Sequence, residues 1–256
     1  ESLPQSFHLK IEGKSVKNQN IYSVKVGTGK TKVYMWSQMH GNEATTTKAV
    51  IDLLAYLTTD SEEVKNILNH FCLYIIPILN PDGAAAYTRV NANLVDLNRD
   101  SIELTQPESQ LLRRAFDDFD PHFAFNLHDQ RTLFAAGEEN HPATISFLAP
   151  SFNEARDVNG VRKTAMQIIV EIVDELKNYI PNQIGRFDDS FNLNCIGDRI
   201  TNLGVPTILF EAGHFPGDYE REETRKITFI AILKALLAIK NSEYLNRNIE
   251  EYIIIP

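Results

Sequence analysis

The sequence predicts an α/β fold with an antiparallel start, and three observations carry that prediction. Short runs rich in β-branched and aromatic residues open the chain. After residue 44, apolar runs of strand length alternate with segments of helical periodicity. Residues 71–79 form a nearly continuous apolar run, as a strand buried on both faces requires.

Taken in order, residues 7–11, 21–26 and 31–36 read as strands, separated by Gly13 and by the hairpin-like turn Gly27-Thr28-Gly29-Lys30. Residues 44–57 read as a helix, with Val50, Ile51, Leu53, Leu54 and Leu57 along one side. The strand at 71–79 stops in a turn at Asn80-Pro81-Asp82-Gly83. Residues 107–119 read as a helix, with Pro107 in its first turn and Glu108 suiting the helix dipole. Residues 123–128 and 144–148 read as strands, and 161–176 as the longest amphipathic helix. A strand over 205–210 and a helix over 220–239 follow. The segments 130–140 and 181–198 lack periodicity and suit the walls of a site.

The 256 residues suffice for one large domain, taken as 1–256, with a sizeable core. Hydrophobic content of 43% and charged content of 23% are ordinary for a globular chain. A net charge of −9 argues against nucleic acid or an anionic membrane as partner. The apolar stretch 227–239 is too short to span a bilayer and contains Lys234. Cys72 and Cys195 are too few for a disulfide framework, and Cys72 reads as a core thiol. The chain begins at Glu1 without a methionine or a signal-like stretch, which leaves its compartment open; an exported chain with the signal removed is one expectation.

Three polar groups stand just past strand-like runs: His40-Gly41-Asn42-Glu43, His128 and Glu211. Open α/β sheets place their ligand sites beyond the carboxyl ends of the strands. His40 and Glu43, three residues apart at the start of a helix, fall on one face and can reach one cation. Two imidazoles and a carboxylate make a zinc site with a fourth position open, and one carboxylate remains to handle protons. Alone, an HxxE pair reads as a helix-capping carboxylate beside a solvated histidine. A lone His128 reads as a satisfied strand-end histidine.

The segment 80–100 changes that balance. It carries Asn80-Pro81-Asp82-Gly83, then Arg89, then Asp96-Leu97-Asn98-Arg99. The ordered series HxxE, NPDG, a basic residue, DxNR, a strand-terminal His and a strand-terminal Glu resembles the M14-type zinc carboxypeptidases, over His40 to about Glu211. The resemblance implies a three-layer α/β/α fold with a mixed central sheet and one zinc ion held by His40, Glu43 and His128. It makes Asp96 the carboxylate that fixes the His40 ring. Asn98 and Arg99 become the grip on the substrate's terminal carboxylate, a task that suits a planar guanidinium. Arg89 becomes the stabiliser of the oxyanion, and Glu211 the general base that passes a proton to the leaving amine. The implied partner is a peptide or peptide-like substrate with a free carboxylate.

Two departures stand out. The family's mobile-loop tyrosine is missing from Gly185-Arg186-Phe187-Asp188-Asp189-Ser190-Phe191, and His128 is followed by Asp129-Gln130-Arg131, which suits a substrate wall of its own. His8, His70, His122, His141 and His214 have no partner spacing, although His214 is near Glu211 in sequence. Two rival functions remain: an amidohydrolase of N-acyl amino acids like the succinylglutamate desuccinylases and aspartoacylases, and a non-catalytic peptide-binding module on the same fold. The filled HxxE, His and Glu positions argue against the second.

Overall fold

The structure, a computed structural model, describes residues 7–137 and 140–256. Its strands are β1 (Phe7–Lys14), β2 (Asn20–Val26), β3 (Thr31–Ser37), β4 (Phe71–Ile76), β5 (Phe123–Asp129), β6 (Ile145–Leu148), β7 (Ile184–Arg186) and β8 (Thr207–Ala212). Its helices are α1 (Thr45–Tyr56), α2 (Glu62–His70), α3 (Pro81–Ala86), α4 (Pro107–Phe119), α5 (Gly160–Leu176), α6 (Ile196–Asn202), α7 (Glu222–Asn241) and α8 (Ile249–Ile253). Among the described residues no helix is long and apolar enough to cross a membrane.

The strands form one mixed sheet in the order β1-β2-β4-β3-β5-β8-β6-β7. β2 runs antiparallel to both its neighbours, β1 and β4, whereas β4, β3, β5 and β8 are mutually parallel. The antiparallel start is therefore as expected, but the hairpin at residues 27–30 is not. β4 inserts between β2 and β3, so the turn crosses over the end of α2 instead of joining paired strands. The glycines serve that crossing: Gly27 adopts φ +85°, and a Cβ at either Gly27 or Gly29 would overlap the backbone at residues 70–71. Gly13 likewise lies inside β1, at a bulge, and does not end it.

Alternation along the strands sorts side chains onto two faces. Val33, Met35, Leu73, Ile75, Phe125, Leu127, Ile208 and Phe210 join the core under α1, α2, α5 and α7. Tyr34, Trp36, Cys72, Ile76 and Ala124 face α4 and α6 on the other side. Cys72 is buried there as a core thiol. Helices thus cover both faces of the sheet, giving the three-layer arrangement.

Several short elements were not anticipated. Asn80-Pro81-Asp82-Gly83 begins α3 instead of a simple turn: Asn80 Oδ1 accepts from Gly83 N at 2.8 Å, and Pro81 occupies the first helical turn. α2 is capped by Ser61 but buries only Val64 and Ile67, too little for a visible apolar stripe. β7 falls within the region 181–198 read as irregular, and α6 begins in it.

The stretch that lacks the tyrosine is pinned from below. Arg162 on α5, 2% exposed, reaches Asp189 at 2.6 Å, and Arg156 adds a contact at 3.3 Å. Burial raises the Asp189 carboxyl, but the two guanidinium groups outweigh it and hold it below the usual aspartate range. A carboxyl lowered by folding contributes stability above its unfolded pKa of about 3.9 and loses that contribution as pH falls through the folded value. Asp189→Asn should therefore cost about 1.5–3 kcal/mol at neutral pH, the range for hydrogen bonds to charged groups. In urea unfolding, the gap between wild type and variant should narrow below about pH 4. An equal gap at pH 7 and pH 3 would rule out the ion pair as its source.

Candidate active site

The site forms where β3, β5 and β8 end side by side. In the register of the sheet His128 on β5 is the direct partner of Glu211 on β8, and Ser146 on β6 faces Glu211 from the other side. One row beneath, Asn126, Leu209 and Leu148 stand opposite one another. Period-two alternation puts both rows on the α4/α6 face.

His40 lies on the turn that leaves β3. Leu79 N and Asn80 N donate to Ser37 O and Gln38 O, and Asn80 Nδ2 donates to Met39 O. The Asn-Pro-Asp-Gly segment is thus the brace beneath the histidine. Asp82 extends the brace by accepting from Ser15 Oγ, Lys17 N and Gln19 Nε2. Gly41 lies so close to the backbone of Gly83 and Ala84 that a Cβ would overlap it.

His40, Glu43 and His128 come together, each 2–3% exposed. Glu43 Oε1 is 2.8 Å from His40 Nδ1, Glu43 Oε2 is 2.9 Å from His128 Nδ1, and the two Nδ1 atoms are 3.1 Å apart. One ligand atom from each residue lies within 4.8 Å of the others. Two buried imidazole nitrogens aimed at each other and at one carboxylate are a donor set that fits a single shared cation, and nitrogen with carboxylate oxygen suits zinc. On the far side of the His40 ring, Nε2 lies 3.1 Å from Asp96 Oδ1, which leaves Nδ1 to face the cluster. Burial lowers the His128 pKa, which favours the neutral ring that binds a metal. Burial raises Glu43 and Asp96, but the neighbouring imidazoles outweigh it and hold both carboxyls well below their usual range.

The segment 89–99 wraps over this cluster. Arg89 donates from Nε to Asp96 Oδ2 at 3.0 Å and lies 3.5 Å from Glu43 Oε1. Asn98 Oδ1 accepts from Ile196 N at 2.9 Å, which leaves its amide nitrogen for the cavity. Arg99 donates to Asn98 O at 2.7 Å and to Cys195 Sγ at 3.0 Å. Glu211 faces the same space. Burial, with the negative charges of Glu43 and Asp129 close by, pushes its carboxyl well above the usual glutamate range.

A cavity of about 610 Å³ joins His40, Glu43, Arg89, Asn98, Arg99, His128 and Glu211 in one space. Asp96 stands behind it, in contact with His40 and Arg89. On the opposite wall Asp198 accepts from Asn192 N at 2.8 Å, and burial pushes its carboxyl up to about 6.

Asp129 has a part that the sequence did not disclose. Its backbone N donates to Glu43 Oε2 at 3.2 Å, while its carboxylate accepts from Thr45 N at 2.7 Å and Thr46 N at 2.9 Å. It caps α1 from another strand and so ties the end of β5 to the Glu43 turn. The signal was present as an acidic residue directly after His128, but a cap contributed from more than eighty residues away has no local pattern. Gln130 and Arg131 do line the cavity as a wall. Gln130 Oε1 accepts from Ser146 Oγ at 3.2 Å, and Arg131 donates to the Tyr87 hydroxyl at 2.9 Å. Where the tyrosine is absent, Phe187 and Phe191 line the cavity instead. His214 Nδ1 sits 3.4 Å from Arg221 Nη1, turned towards α7.

Comparison with known proteins agrees with this geometry. The profile of the family described as zinc carboxypeptidase, peptidase M14, matches residues 1–144. Carboxypeptidase 2 of Trichophyton tonsurans is 27% identical over 152 residues, covering 57% of this chain and 28% of that protein. Carboxypeptidase 2 of Trichophyton rubrum is 26% identical over 147 residues, with 56% and 27% covered. The matched stretch is thus little more than a quarter of those relatives' length. Among solved structures, a metallo-carboxypeptidase from Pseudomonas aeruginosa in complex with (2-guanidinoethylmercapto)succinic acid aligns with a TM-score of 0.74 at 17% identity, over 94% of this chain and 66% of the other. Carboxypeptidase A from Helicoverpa armigera aligns with a TM-score of 0.73 at 19% identity, over 94% and 70%. These likenesses carry the fold over nearly the whole chain, and the profile covers more than half of it, so the chain belongs to the zinc carboxypeptidase family.

Proposed function

We propose that this chain is a zinc-dependent carboxypeptidase that hydrolyses the terminal amide bond of a peptide or peptide-like substrate with a free carboxylate. The observation that supports this reading is the shared cavity, in which the His40–Glu43–His128 cluster, Glu211 and the Asn98–Arg99 pair face one space. His40, Glu43 and His128 would hold the zinc, which when bound supplies a Lewis acid that polarises a carbonyl, acidifies water and offsets the negative charge around Glu211.

The chain's own groups divide the remaining work. Arg99 meets the terminal carboxylate with its planar fork, and the Asn98 amide adds a donor beside it. Arg89, anchored through Nε to Asp96 and through Nη1 towards Glu43, keeps Nη2 available for the oxygen of the scissile carbonyl as charge develops there. Glu211 takes a proton from the attacking water and delivers it to the leaving amine. Asp96 holds the His40 ring in one orientation throughout.

Metal analysis after dialysis should find about one zinc per chain, and His128→Ala should lose most of it. Asp129→Asn should retain the ligands yet weaken zinc about 10–100-fold in chelator competition, because the tie between the two ligand segments is loosened. Full zinc content in His128→Ala would sink the ligand assignment.

Glu211→Gln keeps shape and hydrogen bonding but not basicity. Its zinc content should match wild type, while turnover falls about a hundredfold or more. Turnover near the wild-type rate would mean that another group moves the proton.

The terminal clamp is tested with matched substrates. Wild type should cleave free-acid peptides much faster than their C-terminal amides, and Arg99→Ala should lose the difference. Arg99→Lys should be impaired as well, since an ammonium cannot form two parallel bonds. Equal cleavage of acids and amides would replace the exopeptidase reading with an endopeptidase or amidase on the same centre. Release of succinate or acetate from N-acyl amino acids would turn it towards the amidohydrolases.

A further inference from the structure

The floor of the cavity contains a polar group that the proposed chemistry does not use. Asn126 on β5 is 3% exposed and lines the cavity, yet its Oδ1 has no hydrogen-bond partner. A buried amide left unpaired is costly, so such a group calls for a ligand that satisfies it.

Its place can be traced from the clamp. Arg99 contacts Cys195, Asn98 holds the next residue's N–H, and Gly197 follows at the start of α6. A Cβ at Gly197 would stand 3.5 Å from Asn126 Nδ2 and 3.1 Å from Pro150 Cγ. Asn126 therefore lies on the Arg99 side of the metal cluster, where the side chain of a residue gripped by Arg99 would descend. Across the sheet Asn126 is in one row with Leu209 and Leu148, which together with Pro150 make the rest of the floor apolar. An apolar pocket with one polar group at its base fixes the chemistry of what fits there.

Resting on the carboxypeptidase reading, we propose that this pocket selects a departing residue whose side chain ends in a carboxamide, glutamine or asparagine, through the Asn126 amide. An amide can turn to offer either its oxygen or its nitrogen, and a carboxamide answers both with one donor and one acceptor. An aliphatic side chain of the same size would leave the amide unpaired. The carboxylate of Asp198, which also lines the cavity, disfavours an acidic side chain.

The test uses the zinc-loaded protein and N-acylated dipeptides in near-isosteric pairs, ending in glutamine or methionine and in asparagine or leucine, with lysine as a charged control. Wild type should favour each amide over its apolar partner by about tenfold or more in kcat/KM, as sites built to hydrogen-bond a substrate do. Asn126→Leu should reverse that order. Asn126→Asp, which preserves size, should shift preference from glutamine towards lysine and so tests the assignment if the leucine variant does not fold. Free glutamine and free methionine, titrated as product mimics, give a readout independent of turnover, and glutamine should bind more tightly. Hydrolysis without amide preference, or a preference that survives both substitutions, overturns the selectivity. Absence of hydrolysis together with tighter binding of glutamine removes the carboxypeptidase reading and leaves the pocket's selectivity supported. Absence of both overturns the two together.

Discussion

The carboxylate of Glu43 is the group around which the site is organised. At 3% exposure it cannot remain ionised unless its charge is matched nearby, because an unpaired buried ion is among the costliest defects in a fold. Its two oxygens are shared among His40, His128, the backbone of Asp129 and, at longer range, Arg89. Those partners come from three separate stretches of chain, His128 and Asp129 both standing at the end of β5. The pairing of one charge therefore fastens the end of β3, the end of β5 and the 89–99 segment to the start of α1.

That junction needs a register as well as a charge. In neighbouring parallel strands, the side chains on one face meet in rows, and a slip of one residue would turn a whole row to the other face. The pairing of His128 with Glu211 puts both on the site face, while Leu127 and Phe210 in the next row pack into the opposite core. The apolar core under α1, α5 and α7 thus sets the register, and the register sets which polar side chains can meet. Destabilising that core would disturb the site without touching any of its residues.

Much of this was legible in the sequence. His40, Glu43, His128 and Glu211 each stand at the end of a run whose strand character is plain, and the helix at Pro107–Phe119 matches its expected limits because Pro107 marks its start. What was not legible depends on contacts distant in sequence. Gly27 to Lys30 has the composition of a hairpin, but a strand forty residues further on displaces the partner. Asp129 looks like a loop carboxylate until α1 lies beside it. Short α6 buries five residues, yet a seven-residue segment is too brief to show a helical period.

The two faces of the sheet also explain why the site opens where it does. α5 has 17 residues and α7 has 20, long enough at about 1.5 Å per residue to cover their side of the strands from end to end. On the other side α4 has 13 residues and packs against the N-terminal part of the sheet, while α6 has only seven. The carboxyl ends of β5 and β8 are therefore left uncovered on that face alone. Loops close over most of them, 89–99 from one side, 130–134 and 187–195 from the others, joined by the first turn of α6. Loops of this kind can change residue by residue without disturbing the strands beneath, which separates the two tasks of the chain. The strand ends hold His128 and Glu211 in fixed register, and in the proposed reading the loops with the floor at Asn126 decide what reaches them.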